Sequence, residues 1–203
     1  MQSSSPLEIT LYSETTMPTV YGEFLVSIYR DNQSDDETVL VSLNLENSES
    51  PFVRVHSECI TGEVFGSLKC DCRDQLSLSL QEIQKRGAGA VVYLRQEGRG
   101  IGLGNKIKAY ALQNKGADTI EANHKLGFDT DLRTFDKAAL ILKDRKLNSI
   151  VLNTNNPEKV DSLSEFGIEV VDRVPSLSAV NEHNKDYLET KMKRLGHHLK
   201  SLF

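Results

Sequence analysis

Residues Ser149–Val171 read SIVLNTNNPEKVDSLSEFGIEVV. The start, Ser149 to Leu152, reads as a strand. Asn156-Pro157 has the form of a helix start, with an N-cap side chain followed by proline at the first helical position. The spacing predicts a helix over Pro157–Phe166 and a second strand over Ile168–Val171. Strand, helix and strand in that order call for a sheet with a helix packed on it.

The pattern extends outward in both directions. Ala88–Leu94 is a short apolar run of the kind a buried strand carries. Leu76, Leu80 and Ile83 recur at helical spacing, and Gly87 is a plausible stop. Helical patterns follow at about 102–115 and 134–146, and a last helix is expected from about Asn184 to Leu199. Earlier, segments 22–30 and 38–45 alternate apolar and polar residues and read as strands, separated by the loop Asp31–Glu37. Phe52, Val53 and Val55 suggest a further strand running into His56-Ser57-Glu58-Cys59. The expected class is α/β, a mixed β-sheet flanked by helices with a β-rich N-terminal part. Residues 1–8 are expected to be a flexible start and 9–203 a single catalytic domain.

The chain has 203 residues, 38% of them hydrophobic and 26% charged, enough for one good-sized core. The formal net charge is -5. An acidic chain gains nothing from counterion release, so nucleic acid and membrane surfaces are poor candidates as partners. No apolar run is long enough to cross a bilayer, and the polar, Ser-rich start Met1–Pro6 does not read as a signal peptide. The expected compartment is the cytoplasm.

The three cysteines, Cys59, Cys70 and Cys72, all fall within one short stretch. An odd number of thiols argues against a disulfide framework, and clustered thiolates suit zinc. Three protein ligands would leave a fourth tetrahedral position for water, the catalytic arrangement, and zinc makes such water a nucleophile at neutral pH. A closed site completed by a histidine and three merely buried cysteines, with His56 or His124 incidental, remain open on spacing alone. His56-Ser57-Glu58 matches the H-x-E half of the zinc-deaminase signature, but the P-C-x-x-C half is missing. Gly98, Gly100, Gly102 and Gly104 open a helix and let backbone N–H groups approach a phosphate, although the run is neither a Walker A nor a Rossmann fingerprint.

Arg54-Val55-His56-Ser57-Glu58-Cys59, Cys70-Asp71-Cys72, Arg95-Gln96-Glu97-Gly98-Arg99-Gly100-Ile101-Gly102-Leu103 and Thr154-Asn155-Asn156-Pro157 together resemble the GTP cyclohydrolase II family. The resemblance runs from about Pro18 to His197. It implies hydrolytic opening of the guanine imidazole ring of GTP at C8. The implied products are formate, pyrophosphate and 2,5-diamino-6-(5-phospho-ribosylamino)pyrimidin-4(3H)-one, in the first step of riboflavin biosynthesis. It implies one Zn2+ per subunit held by Cys59, Cys70 and Cys72, a requirement for Mg2+, and a homodimer. The GTP contacts it implies are Arg54, Val55, His56, Ser57 and Glu58, then Gln75, then Glu97, Gly98 and Arg99, with Thr119, Thr154 and Lys159. Asp131 and Arg133 match a proton acceptor and a nucleophile, and Tyr110 a tyrosine near the guanine, where it could order a proton for release of formate.

Some of this fits plain chemistry. Arg54, Arg95, Arg99, Lys106 and Arg133 can neutralise a triphosphate, arginine with bidentate geometry. A guanidinium stays protonated at neutral pH, which leaves Arg133 either a covalent acceptor assisted by Asp131 or an electrostatic stabiliser. Arg73-Asp74 and the stretch Ser176–Glu182 depart from the family pattern. The chain has no room for the dihydroxybutanone phosphate synthase often fused to this domain, so a free-standing enzyme or a domain cut from a fusion is expected. A paralogue acting on a related purine triphosphate, and a zinc-stabilised nucleotide-binding module without turnover, are the alternatives.

Overall fold

The computed structural model describes residues 5–116, 118–178, 180–194 and 196. Seven strands form one sheet: β1 Ile9–Thr19, β2 Gly22–Asp31, β3 Glu37–Leu43, β4 Phe52–Ser57, β5 Gly89–Leu94, β6 Ser149–Asn153 and β7 Glu169–Val174. The helices are α1 Ile60–Glu63, α2 Cys72–Arg86, α3 Gly102–Gln113, α4 Thr119–Lys125, α5 Asp136–Asp144, α6 Pro157–Glu165 and α7 Lys185–Arg194. The sheet order is β1-β2-β3-β5-β4-β6-β7. β1, β2, β3 and β5 pair antiparallel, whereas β5, β4, β6 and β7 pair parallel. This is the expected mixed sheet with a strand-rich N-terminal part.

The two faces of the sheet bury alternate residues of the central strands, as a period of two requires. Val53 and Val55 of β4 and Ala90, Val92 and Leu94 of β5 join Ala138, Ala139, Ile141 and Leu142 of α5 and Leu163 of α6 in the larger core. Phe52 and Val91 face the other way, against Ile83 of α2 and Phe24 of β2. Each fully buried aliphatic side chain contributes roughly 1.5–3 kcal/mol. Close strand contact fixes one residue: a Cβ on Gly89 would stand 2.5 Å from the Phe52 carbonyl oxygen, at a backbone φ of +154°. Glycine lets β5 meet β4 there.

The helix punctuation read from the sequence holds. The Gly87 N–H donates to the Ile83 and Gln84 carbonyls and closes α2. The Asn156 side chain accepts from the Glu158 N–H at 3.1 Å, with Pro157 behind it, and opens α6. Four elements differ from expectation: α1 and α4 had no reading as helices, and β1 and the last helix also depart. β1 had no reading as a strand, and most of it is exposed along an outer edge of the sheet. Its order comes from pairing with β2, not from an apolar face. The last helix spans Lys185–Arg194; residues 195 and 197–199 of the expected span lie outside the described residues. At the N-terminus, the Ser5 and Pro6 carbonyls accept from Gln33 and Asn32, and the Glu8 N–H donates to Asn32. No helix among the described residues is long and apolar enough to cross a membrane.

Candidate active site

β4 lies between β5 and β6, so the chain leaves its end toward one neighbour and later returns on the other side. Such a reversal opens a crevice beyond the carboxyl ends of parallel strands. The segments after β4, β5 and β6 all run into it. They line one open cleft, the kind of concave site that takes a small-molecule ligand.

The three thiols sit in this cleft, their sulfurs within 4.8 Å of one another and Cys59 Sγ 3.6 Å from Cys70 Sγ. Cys59 ends the segment after β4, and Cys70 and Cys72 flank the start of α2. Hydrogen bonds from Cys70 and Cys72, with Lys106 close by, pull the Cys59 thiol far down. The charge and hydrogen bonding of Cys59 push Cys70 up to about 11. One thiolate forms readily, and a bound cation would bring out the others. Among the described residues, Cys59, Cys70 and Cys72 are the group whose side chains stand close enough to hold a metal ion.

Gly62 completes this cradle. A Cβ there would stand 2.7 Å from Cys70 Sγ and 3.3 Å from Cys59 Sγ. Gly62→Ala is expected to weaken metal retention by about tenfold or more, the scale of losses beside a ligand set. Competition with a chelator measures it, and an unchanged affinity would show that the cluster has slack for a methyl group.

Behind the thiols runs a buried polar chain. The Arg54 guanidinium donates to His56 Nδ1, to Asn153 Oδ1 and to Ser176 Oγ at 3.0 Å each, and to Gln75 Oε1 at 2.5 Å. Arg Nε–H can only donate, so His56 Nδ1 is the acceptor and the ring proton is on Nε2. His56 Nε2 meets Glu63 Oε1 at 2.7 Å, and the Tyr93 hydroxyl donates to Glu63 Oε2 at 2.6 Å. Burial pulls His56 down to about 4, which keeps the imidazole neutral. Val55 turns its side chain into the core, and its carbonyl accepts from Lys159 Nζ at 2.7 Å. Burial lowers Lys159 well below the ordinary lysine range.

The loop after β5 makes the second wall. Glu97 is buried; its carboxylate accepts from the Ile60 N–H, the Gly98 N–H and Lys106 Nζ. Lys106 also donates to Cys59 Sγ at 3.1 Å and so joins this wall to the thiols. Arg99 holds a left-handed backbone at φ 62°, a strained state for a residue with a side chain. Among the described residues, the buried side-chain polar atoms without a hydrogen-bond partner are Gln96 Oε1, Arg99 Nη1 and Asn156 Nδ2. All three residues line the cleft. Two of these atoms are donors, and an unpaired buried donor costs free energy that an anionic or carbonyl ligand would recover.

Arg133 faces the cleft, with Asp131 behind it. Their paired contacts run at 2.8 Å from Nε and 2.5 Å from Nη2, and Arg133 Nη1 reaches Ser57 Oγ at 3.4 Å. Burial pulls the guanidinium down, but hydrogen bonding and charge from Asp131 outweigh it and hold Arg133 above its ordinary value. Glu58, Tyr110 and Thr154 line the same cleft, and burial raises the Tyr110 phenol to about 12. Thr119 begins α4, and its side chain lies outside the described residues.

The GTP cyclohydrolase II family pattern matches residues 10–175. The chain belongs to the GTP cyclohydrolase II family. It is 49% identical over 193 residues to the GTP cyclohydrolase-2 of Campylobacter fetus, 95% of this chain and 97% of that protein. It is also 49% identical over 190 residues to the riboflavin biosynthesis protein RibBA of Bacillus cereus, 93% of this chain and 48% of that protein. The chain thus spans about half the length of the RibBA relatives it matches. A two-domain 3,4-dihydroxy-2-butanone 4-phosphate synthase from A. baumannii, RibBX, shares the fold at a TM-score of 0.50 and 18% identity. That likeness covers 82% of this chain and 40% of RibBX.

Within this GTP cyclohydrolase II frame, the residues that motif reading passed over are partners across the fold. Glu63 and Tyr93 hold His56, and Asn153 and Ser176 hold Arg54. Tyr187 and Lys191 of α7 complete the lining, although the family match ends at residue 175. Their spacing of four puts both on one helical face, and both fall in the block Tyr187–Lys191, which the resemblance running to about His197 already takes in.

Proposed function

We propose that the chain opens the imidazole ring of GTP, releasing formate and pyrophosphate, as the first step of riboflavin biosynthesis. The carrying observation is a single cleft that joins a three-thiol cluster to the unpaired donors Arg99 Nη1 and Asn156 Nδ2. One part suits a soft metal ion and the other a polyanion.

The metal is zinc, one per chain, held by Cys59, Cys70 and Cys72. Four thiolates around zinc would lie about 3.8 Å apart, given Zn–S bonds of about 2.3 Å, and the Cys59–Cys70 separation is 3.6 Å. When bound there, zinc supplies Lewis acidity at neutral pH. Magnesium prefers oxygen ligands and belongs with the triphosphate.

The chain's own residues do the rest. Arg99 and Asn156 receive phosphate oxygens. Arg54, through its bonds to His56 and Gln75, frames the base site, with Gln75 as the residue that reads guanine. Glu58, Ser57, Glu97, Gly98, Thr119, Thr154 and Lys159 complete the substrate contacts. Tyr110, kept protonated by burial, holds a proton where the formyl group leaves. Arg133, kept charged by Asp131, stabilises the negative charge of the leaving phosphate. The biosynthetic role fits a cytoplasmic location, and the family resemblance supports a homodimer.

Incubation with GTP, zinc and magnesium tests the reading. One formate and one pyrophosphate per GTP are expected. If neither forms, ring opening is refuted; intact bound GTP would mark a binding module, and other products a paralogue of a different pathway.

A further inference from the structure

Lys106, Lys159 and Lys191 all line the cleft, and the fold treats one of them differently. Lys106 Nζ meets Glu97 Oε1 at 2.7 Å, and Lys191 Nζ meets Asp71 Oδ1 at 3.1 Å. Lys159 is 7% exposed, and its Nζ donates to the Val55 carbonyl at 2.7 Å. Among the described residues its side chain makes no ion pair and no second hydrogen bond. An ammonium has three N–H donors and no acceptor. One carbonyl would leave two of those donors unpaired, and a buried charge without a counter-charge is costly.

The surroundings raise that cost. Arg54 and the neutral His56 act on Lys159 from β4, Asp131 and Arg133 from the stretch before α5, and Lys191 from α7; Glu158 is its neighbour on α6. Asp131 gives both its oxygens to Arg133. Arg133 and Lys159 even share an aromatic ring, at 5.8 Å and 5.2 Å from the centre of Phe135. The arginine has the carboxylate, and the lysine has a carbonyl. Burial first, then Arg133 and Arg54, hold Lys159 well below the ordinary lysine range; Asp131 opposes them and Lys191 adds to them. A triphosphate would supply what the amine lacks, acceptor oxygens and negative charge.

We propose that Lys159 stands in the cleft as a free amine before substrate binds and takes up a proton as the triphosphate arrives, so that nucleotide binding is coupled to proton uptake. The inference rests on the substrate-contact role given to Lys159 above. Its sign follows from linkage. The complex holds more protons than the free chain, so affinity falls as pH rises.

Calorimetric titration of a non-hydrolysable GTP analogue into the zinc-loaded full chain, with magnesium at about pH 8, provides the test. Buffers of different ionisation enthalpy report the protons exchanged. The terminal phosphate of the nucleotide has already lost its proton at that pH. Wild type is expected to take up about one proton per nucleotide, and its dissociation constant to rise about tenfold per pH unit. Lys159→Arg keeps a charge that does not titrate, so it is expected to bind with no uptake and a flat pH dependence. Lys159→Met is expected to bind more weakly, also without uptake. Nucleotide binding by wild type without proton uptake overturns the proposal. Uptake that survives in either variant also overturns it and assigns the proton to another group in the cleft, such as His56 or Glu58. A wild-type chain that binds no nucleotide sinks the functional reading itself.

Discussion

Cys59→Ser is expected to abolish zinc retention and to lower GTP turnover by about a thousandfold or more, the equivalent of ~4 kcal/mol at 1.4 kcal/mol per tenfold. Cys59 is the most buried of the three thiols and the one whose ionised form the surroundings favour most. Lys106 Nζ and Cys70 Sγ both contact its sulfur. Serine offers a harder oxygen whose proton leaves far less readily, so two thiolates would remain where three are arranged. Lys106 would keep its bond to Glu97, which holds the wall of the cleft in place. The sheet core on Val53, Val92 and Ile150 does not involve the thiols, so the variant should fold. Metal content by elemental analysis and formate release measure the two effects. Wild-type turnover with no bound metal would overturn the metal-centred mechanism, and full zinc retention would show that two thiolates suffice.

The legible parts of this protein are those whose cause is local. Asn156-Pro157 marks a helix start because cap chemistry and the proline ring act within a few residues, and α6 begins there. The cysteine spacing marks a site because thiols cluster in sequence as well as in space. β1 escaped reading because Ile9–Thr19 shows no apolar face; pairing with β2 creates it. The support of the site escaped for the same reason. His56, Glu63 and Tyr93 come from β4, α1 and β5, and only the fold brings them together. Asp131 and Arg133 are the intermediate case. Two residues apart, they could be a surface pair worth about 1 kcal/mol or less. Burial against the cleft turns the same pair into a fixed, oriented cation.

That difference carries the second large prediction. Arg133→Ala is expected to reduce kcat by about 10^3-fold, and Arg133→Lys by about 10^2-fold, the scale seen when a preorganised donor is removed from developing negative charge. The paired geometry is the reason for the gap between them. Asp131 takes Arg133 Nε and Nη2, which leaves Nη1, near Ser57 Oγ, facing the cleft. A lysine keeps the charge but cannot bond a carboxylate through two nitrogens and present a third to the substrate. The electrostatics favour the stabilising role of the two left open for this residue. A nucleophilic guanidine must first lose its proton, and Asp131 makes that loss harder, since its hydrogen bonds and charge hold Arg133 above its ordinary value despite burial. Asp131 itself is held below the usual carboxylate range: burial opposes this, and the bonds from Arg133 outweigh it. It is a poor base for that proton. Rapid quenching of the reaction followed by mass spectrometry is therefore expected to show no nucleotide or phosphoryl adduct on the chain. An adduct at Arg133, or Arg133→Lys with wild-type kcat, would overturn the electrostatic role.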